Sequence, residues 1–427
     1  MLNFKKNVSI YVLGNIGVAM IPFFLLPILT RYLSPEEYGN VAIFITLISL
    51  LNPIIGFNVH SGLSKRWFDQ DVFKISEYLF SCVLILIIST LFVLVLIFCA
   101  KNALVQITGI DPFWMYCVVV VAFFAFLIQL RLVIWQVQEK PKPYIIFQFF
   151  LGLINFSLSI VLTIFLLKSY QGRLVGYTVT TIIFGLMSYF SLNREFRFSL
   201  KINFEYMKDA LSFGLPLIPH VIGAMLMLTI DRMIVNYKLG ATSAGLYMVA
   251  VQIALGFNLL NESFNKAFVP KLFAILKEND FSKKIAIIRM TYYYFGLLLL
   301  APLFSVLLGP SIILFLAGPN YIEAASVLNW LILMQALHGM YYLVTSYLHY
   351  ECKTYVISII TISCGVVSIF LTFLVIETWG LVGASVGSAF GMLLEFLITW
   401  GVAANVHPMP WTSVFRFKKA DYKKVEL

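Results

Sequence analysis

Long apolar runs separated by short polar clusters dominate this chain. Twelve can be marked, at roughly 9–31, 40–63, 78–100, 113–137, 144–167, 174–192, 211–237, 245–270, 286–308, 324–348, 354–376 and 380–404. Most approach or exceed the ~20 residues that a helix needs to cross a bilayer core. Several are rich in Ile, Val and Phe, which would favour strands in water. Inside lipid each segment must satisfy its own backbone hydrogen bonds, so the pattern predicts helices. The runs are apolar all round, unlike the ~10-residue alternation of a β-barrel strand. Lys5 and Lys6 precede the first run, as in a signal peptide. That run is nevertheless about a full span long, lacks a small-residue cleavage site and ends in Thr30-Arg31, which predicts a retained first transmembrane helix.

Composition removes the soluble alternatives. Hydrophobic residues make up 61% of the 427 and charged residues 12%, against about 25% charged in a soluble domain. The net charge of +10 could suggest a nucleic-acid partner, but the positions of the charges argue otherwise. With the N-terminus in the cytoplasm and twelve alternating spans, 24 of the 30 Lys and Arg fall on the cytoplasmic side. Arg31, Lys101, Lys168, Arg173 and Lys238 fall at outer ends, and Arg232 lies within a helix. This is the positive-inside distribution expected of a multi-pass membrane protein with both termini cytoplasmic; no nucleic-acid partner is expected. Cys82, Cys99, Cys117, Cys352 and Cys364 show no CxxC spacing, so neither a metal site nor a disulfide framework is indicated.

The chain also repeats. Residues 33–39 (LSPEEYG) and 239–245 (LGATSAG) are related by a shift of 206, as are Gly185 and Gly391. Leu174-Val175-Gly176 matches Leu381-Val382-Gly383, and Phe57-Asn58 matches Phe264-Asn265, at 207. The expected organisation is an N-terminal six-helix bundle at 1–192, a cytoplasmic linker at 193–210, a second bundle at 211–405 and a basic cytoplasmic tail at 406–427. An even helix count per half makes the repeats parallel, related by an axis along the membrane normal.

Residues 27–39 (PILTRYLSPEEYG) resemble the first-helix and first-loop signature of Wzx-type polysaccharide flippases. Gly214-Leu215-Pro216-Leu217-Ile218-Pro219, Asp231-Arg232-Met233-Ile234, Gly240 and Ala244-Gly245-Leu246-Tyr247 resemble its second-half counterpart. These proteins belong to the multidrug/oligosaccharidyl-lipid/polysaccharide exporter superfamily. The resemblance implies an all-α integral membrane fold with about twelve transmembrane helices, in two six-helix bundles around a central cavity open alternately to either side. It implies a polyprenyl-pyrophosphate-linked oligosaccharide as substrate, an O-antigen or capsule repeat unit carried from the inner to the outer leaflet. Membrane lipids are expected partners, with H+ or Na+ as a possible coupling ion. The rival expectations are an ion-coupled drug/cation antiporter of the same superfamily and a membrane polysaccharide polymerase or ligase. The latter should carry a large outer loop, and the outer loops here are short.

Charges inside a membrane are costly, so those present are candidates for function. Asp231 and Arg232 lie in the outer third of the seventh run. They are read either as lining a substrate cavity or as a pair that fixes packing. Arg31 ends the first run, where an interfacial anchor that snorkels outward competes with a cavity role. Asn258, Glu262, Asn265 and Lys266 share one helical face; a wet cavity and interhelical hydrogen bonds explain this stripe equally well. Arg131 and Glu395 are expected to be structural, and His60, His220 and His338 to be hydrogen-bonded or interfacial. Pro22, Pro27, Pro216 and Pro219 mark helices able to bend. No Walker GxxxxGK[ST], GxSxG or HExxH motif is present. The expected protein is a transporter rather than an enzyme, without a cofactor, driven by an ion gradient or by consumption of product on the far side.

Overall fold

The computed structural model describes residues 14, 17–18, 20–21, 23–69, 73–199, 201–278 and 280–412, with His220 described by its backbone alone. Lys5, Lys6, Pro22, the His220 side chain and the basic residues of the tail lie outside the described residues. Every regular element among those described is helical. Helix α1 is Phe23–Tyr32. Then follow α2 Pro35–Leu51, α3 His60–Arg66, α4 Ile75–Thr108, α5 Pro112–Val137, α6 Pro141–Ile160 and α7 Tyr170–Phe196. The remainder are α8 Phe204–Gly214, α9 Ile218–Leu228, α10 Asp231–Glu278, α11 Phe281–Leu316, α12 Ala325–Tyr350 and α13 Thr354–Val406.

Nine helical stretches among the described residues are long and apolar enough to cross a membrane. The chain is an all-α, multi-pass membrane protein, and twelve spans fit this architecture. The first run lies partly outside the described residues, and the second is represented by α2, of 17 residues. The remaining difference arises at α13, whose 53 residues would extend ~80 Å as one rod, far beyond a ~30 Å core. It does not run straight. Gly380 adopts φ 55°, ψ −134°. A Cβ on Gly383 would meet the Val375 carbonyl oxygen, one on Gly387 would meet Thr372, and one on Gly391 would meet Ser368. These pairings mirror about residues 379–380, so α13 is an antiparallel hairpin of two spans.

Similar reasoning resolves α10. Gly240 has φ 83°, a left-handed conformation suited to glycine. Asp231 and Tyr247 would stand ~24 Å apart along one straight helix, yet the Tyr247 hydroxyl donates to Asp231 Oδ2 at 2.7 Å. The chain therefore folds back at Gly240. A third tight hairpin joins α6 to α7. Gly172 faces the Leu162–Thr163 backbone and Gly176 faces Ser159, each too closely to admit a Cβ without displacement. Small residues let helix backbones approach in lipid, where no hydrophobic force drives helices together.

Two runs read as continuous are broken. The run at 40–63 stops at Leu51; Pro53 follows, and Gly56, Phe57 and Asn58 have φ of 79°, 46° and 54° before α3 begins. Phe57-Asn58 thus has no backbone likeness to Phe264-Asn265, which lie within α10. The run at 211–237 is interrupted by a 3-10 turn at Leu215–Leu217, beside the expected Pro216 and Pro219, and again at Thr229–Ile230. The missing proline N–H and the ring's clash with the preceding turn account for the first break.

The chain packs as two compact units, Met1–Val249 with Leu314–Ile322, and Ala250–Ile313 with Glu323–Leu427. In the first unit α5 is the most buried span and α6 the most exposed. Phe44 of α2 sits edge-on to Trp114 of α5 and Tyr177 of α7. In the second, Phe295, Phe396, Trp400 and Trp411 form an aromatic cluster, edge-to-face except for the tilted Phe396–Trp400 pair, with Tyr292 donating to the Trp411 carbonyl at 3.1 Å.

The first unit also contains the closest helix crossing. A Cβ on Gly39 would lie 1.8 Å from the Ala241 carbonyl oxygen, and one on Gly245 would lie 1.8 Å from that of Pro35. The 206 shift maps Pro35 onto Ala241 and Gly39 onto Gly245, so the contact is reciprocal, as at a two-fold interface. Overpacking of this kind costs roughly 1–3 kcal/mol. Gly39→Ala and Gly245→Ala should each lower the thermal unfolding midpoint of the purified protein. Gly296→Ala, where nothing lies within 4 Å, should leave it unchanged or raise it. Equal midpoints for all three variants would show that the two helices do not touch there.

Candidate functional site

The residues of the first-loop signature build a tight turn. Ser34 caps α2: Glu37 N–H donates to its hydroxyl at 3.3 Å, and its own N–H donates to Glu37 Oε2 at 3.0 Å. This is a reciprocal capping box with Pro35 in the first turn. The Tyr321 hydroxyl donates to the Leu33 carbonyl at 2.9 Å, and its ring meets Tyr38 edge-on. Leu33–Gly39 is thus anchored at its cap, by an aromatic contact and by the glycine crossing. Gly214 of the second signature is similarly constrained, since a Cβ there would strike the Phe57 carbonyl.

Asp231 and Arg232 are both buried, and they stand at the break between α9 and α10. Asp231 Oδ1 accepts from the Arg232 N–H at 2.8 Å, while Oδ2 takes the Tyr247 hydroxyl. Arg232 Nη1 donates to the Leu228 carbonyl at 3.1 Å, which lost its helical partner where α9 ends; its Nε is buried without a partner. The two side chains share this break without forming an ion pair with each other. Arg31 is exposed at the end of α1.

In the second unit the expected stripe is partly assembled. Asn258 donates to Glu262 at 3.2 Å, and Lys266 lies 3.6 Å from the other Glu262 oxygen. Asn265 Oδ1 is buried without a partner. The neighbouring Asn261 points elsewhere: it donates to the Gln335 carbonyl at 2.8 Å and accepts from Tyr294 at 2.9 Å. Asn261 is therefore a tie between α10, α11 and α12. Glu395 accepts from Thr361 at 2.7 Å, and the His338 ring lies 4.3 Å from that of Tyr342.

Several polar partners were not identified from sequence. Asp209 of α8 receives Arg66 in two bonds, Nη2 to Oδ1 at 2.6 Å and Nε to Oδ2 at 3.0 Å, and Tyr78 donates to it at 3.2 Å. Donating to Asp209 raises the pKa of Arg66, so the guanidinium stays charged. Arg131 is paired with Glu195 at 2.6 Å and lies over Trp135. A cavity of about 420 Å³ in the first unit is lined by Ser49, Asn52, Asn58, His60 and Gln129 among apolar neighbours. His60 faces Phe126 edge-on there, and its Nδ1 is buried without a partner. Gln129 meets polar side chains 69 to 80 positions away at this space, a proximity that no spacing in the sequence reveals. Among the described residues no group of three or more His, Cys, Asp or Glu could hold a metal ion.

Comparison with known proteins gives related results at three levels. A family model described as polysaccharide biosynthesis protein matches residues 4–276. Among curated relatives, "Lsg locus putative protein 1" of Haemophilus influenzae is 24% identical over 380 residues, covering 86% of this chain and 88% of that protein. An uncharacterized membrane protein of the same organism is 27% identical, covering 85% and 87%. Among solved structures, the lipid II flippase MurJ in an inward closed conformation aligns with a TM-score of 0.77 at 12% identity, covering 92% of this chain and 87% of that one. An inward-facing multidrug resistance MATE family transporter of the MOP superfamily aligns at 0.72 and 14%, covering 94% and 96%. At these identities the two structures establish a shared fold. The match over 4–276, more than half of the chain, establishes the family: this chain belongs to the polysaccharide biosynthesis protein family.

Proposed function

We propose that this protein is a flippase that carries a polyprenyl-pyrophosphate-linked oligosaccharide from the inner to the outer leaflet of a bacterial inner membrane by alternating access. The observation that carries the reading is a cavity lined by amides, a hydroxyl and an imidazole, held inside one unit of an apolar helical chain of the polysaccharide biosynthesis family. Sugars are bound through hydroxyl groups, and neutral donors and acceptors of this kind match them without the cost of burying a charge. The fold shared with MurJ and with a MATE transporter supports a transporter over a polymerase or ligase. H+ or Na+ would supply the coupling ion.

In this reading the chain is arranged as two six-helix halves, 1–192 and 211–405, joined by the 193–210 linker and ending in a cytoplasmic tail. Asp231 and Arg232 act at the broken helix, either on the substrate or by holding the break. Arg31, Asn258, Glu262, Asn265 and Lys266 are the further residues proposed to face the path.

Loss of the gene should leave undecorated lipid-linked repeat units on the cytoplasmic leaflet, measurable by the access of an impermeant glycan-modifying enzyme to inverted vesicles. Purified protein that lengthened or ligated glycan chains would support the enzyme reading instead. In a Cys-free background, a cysteine at Lys201 should resist an impermeant thiol reagent in intact cells and one at Asp111 should react. Labelling of position 201 from outside would overturn the cytoplasmic placement of the linker.

Asp231→Asn and Arg232→Gln should each reduce transport severely at normal membrane abundance, and Arg232→Lys should retain part of it because charge survives while fork geometry is lost. Tyr247→Phe removes the bond to Asp231 without altering charge, and it should cost stability of roughly 1–3 kcal/mol with transport largely kept. The joint change Asp231→Leu with Arg232→Met keeps volume and removes both charges. Full transport by that double variant at wild-type abundance would show that the pair only holds the helix break.

A further inference from the structure

Among the buried charges of the described residues, Arg131 is matched by a carboxylate and Asp231 has both oxygens engaged, whereas Arg173, like Arg232, has no counter-ion. It lies in the first turn of α7, is buried, and forms no ion pair among the described residues. Its hydrogen bonds all leave from one nitrogen: Nη1 donates to Asn155 and to Ser159 of α6, the latter at 2.7 Å. A guanidinium carries five N–H donors. Nε and Nη2 have no partner among the described residues, and neither belongs to the buried unpartnered atoms, so both retain accessible surface. The α6–α7 hairpin fixes this arrangement, because Gly172 and Gly176 press α7 onto α6 and leave Arg173 one tether.

Arg173 borders a cavity of about 370 Å³ within the same unit. Gln129, Gln148, Asn155, Tyr177 and Thr181 supply its remaining polar lining. The guanidinium carbon lies 5.4 Å from the Tyr177 ring centroid. This cavity and the one bearing His60 share Ala125 and Gln129, so the two adjoin at Gln129. An arginine in an apolar helix bundle without a counter-ion is costly to keep. A planar fork with free donors matches the two oxygens of a carboxylate or phosphate.

We propose that Arg173 is the anion-binding end of a two-part ligand site in the first unit, taking an oxyanion on Nε and Nη2 while Gln129, Gln148 and Thr181 meet the attached polyol. The oxyanion is either a phosphate of the lipid carrier or the carboxylate of an acidic sugar. The choice of ligand rests on the flippase reading; the anion site itself does not.

The test uses the purified full chain in nanodiscs of phosphatidylcholine. Inorganic pyrophosphate and undecaprenyl phosphate probe the lipid source; glucuronic acid, with glucose as its neutral control, probes the sugar source. Saturable binding, read by isothermal titration and by a rise in unfolding midpoint, is expected for one class. Arg173→Gln should weaken it by roughly tenfold or more, and Arg173→Lys by less. Thr181→Leu, which fills the cavity without removing a bond to Arg173, should also weaken it, so the test survives if Arg173→Gln does not fold. Gln129→Leu should weaken glucuronic acid but not pyrophosphate. No saturable binding of either class by the wild-type protein, equal affinity in Arg173→Gln, or unchanged affinity in Thr181→Leu would overturn the proposal. Intact anion binding in a protein that moves no lipid-linked sugar in cells would count against the flippase reading alone.

Discussion

The reciprocal crossing of Gly39 and Gly245 is the constraint from which much of the first unit follows. Two helix starts meet with backbone against backbone, each glycine seated on the carbonyl one turn before the other. Nothing larger than hydrogen fits, and the 206 shift exchanges the two sides of the contact. Around it the capping box at Ser34, the Tyr321 bond to Leu33 and the Tyr247 bond to Asp231 hold the adjoining turns. Lipid tails are as apolar as the helix surfaces, so close fit and polar bonds must specify association. The Gly172–Gly176 seam and the Gly383, Gly387 and Gly391 seam apply the same solution to two other hairpins.

A second constraint is that a polar group in hydrocarbon needs a partner. The structure meets it by several routes. Arg66 takes Asp209, Arg131 takes Glu195, and Glu395 takes Thr361. Asn261 is engaged on both its oxygen and nitrogen. Arg232 bonds a carbonyl left free by the helix break. Set beside these, Arg173 has free donors beside a polar cavity, and His60 and Asn58 have buried nitrogens without partners beside another. Unsatisfied groups of this kind collect where a ligand or water would complete them.

Several residues that look functional in sequence have structural partners. Leu33–Gly39 and Gly214 are motif positions because caps and close approaches require them. Asp231 has both carboxylate oxygens engaged within the hairpin, so an effect of its replacement on transport must be separated from an effect on the break. The Tyr247→Phe comparison serves that purpose. Conversely Arg173, counted in sequence as an outer-end charge, has donors to offer beside a polar cavity.

Hydropathy, run length and charge asymmetry were sufficient to establish from sequence an all-helical membrane protein, because the bilayer allows a ~20-residue apolar run essentially one backbone solution. The match of Gly39 with Gly245 was legible because the crossing requires glycine at both positions. The breaks at 52–59 and 229–230 were less legible, since proline and glycine mark where a helix is able to break, and packing decides whether it does. Which charges are paired was hidden as well: Arg66 and Asp209 lie 143 positions apart, and Arg131 and Glu195 lie 64 apart. The polar cavities were equally inaccessible, because Ser49, Asn58 and Gln129 become neighbours only through the packing of α2, the 52–59 turn and α5. Sequence by itself determined the solvent, the all-helical class and the family. Tertiary structure alone decided which polar groups were satisfied and which were left facing space, because satisfaction depends on distances between segments that no local pattern encodes.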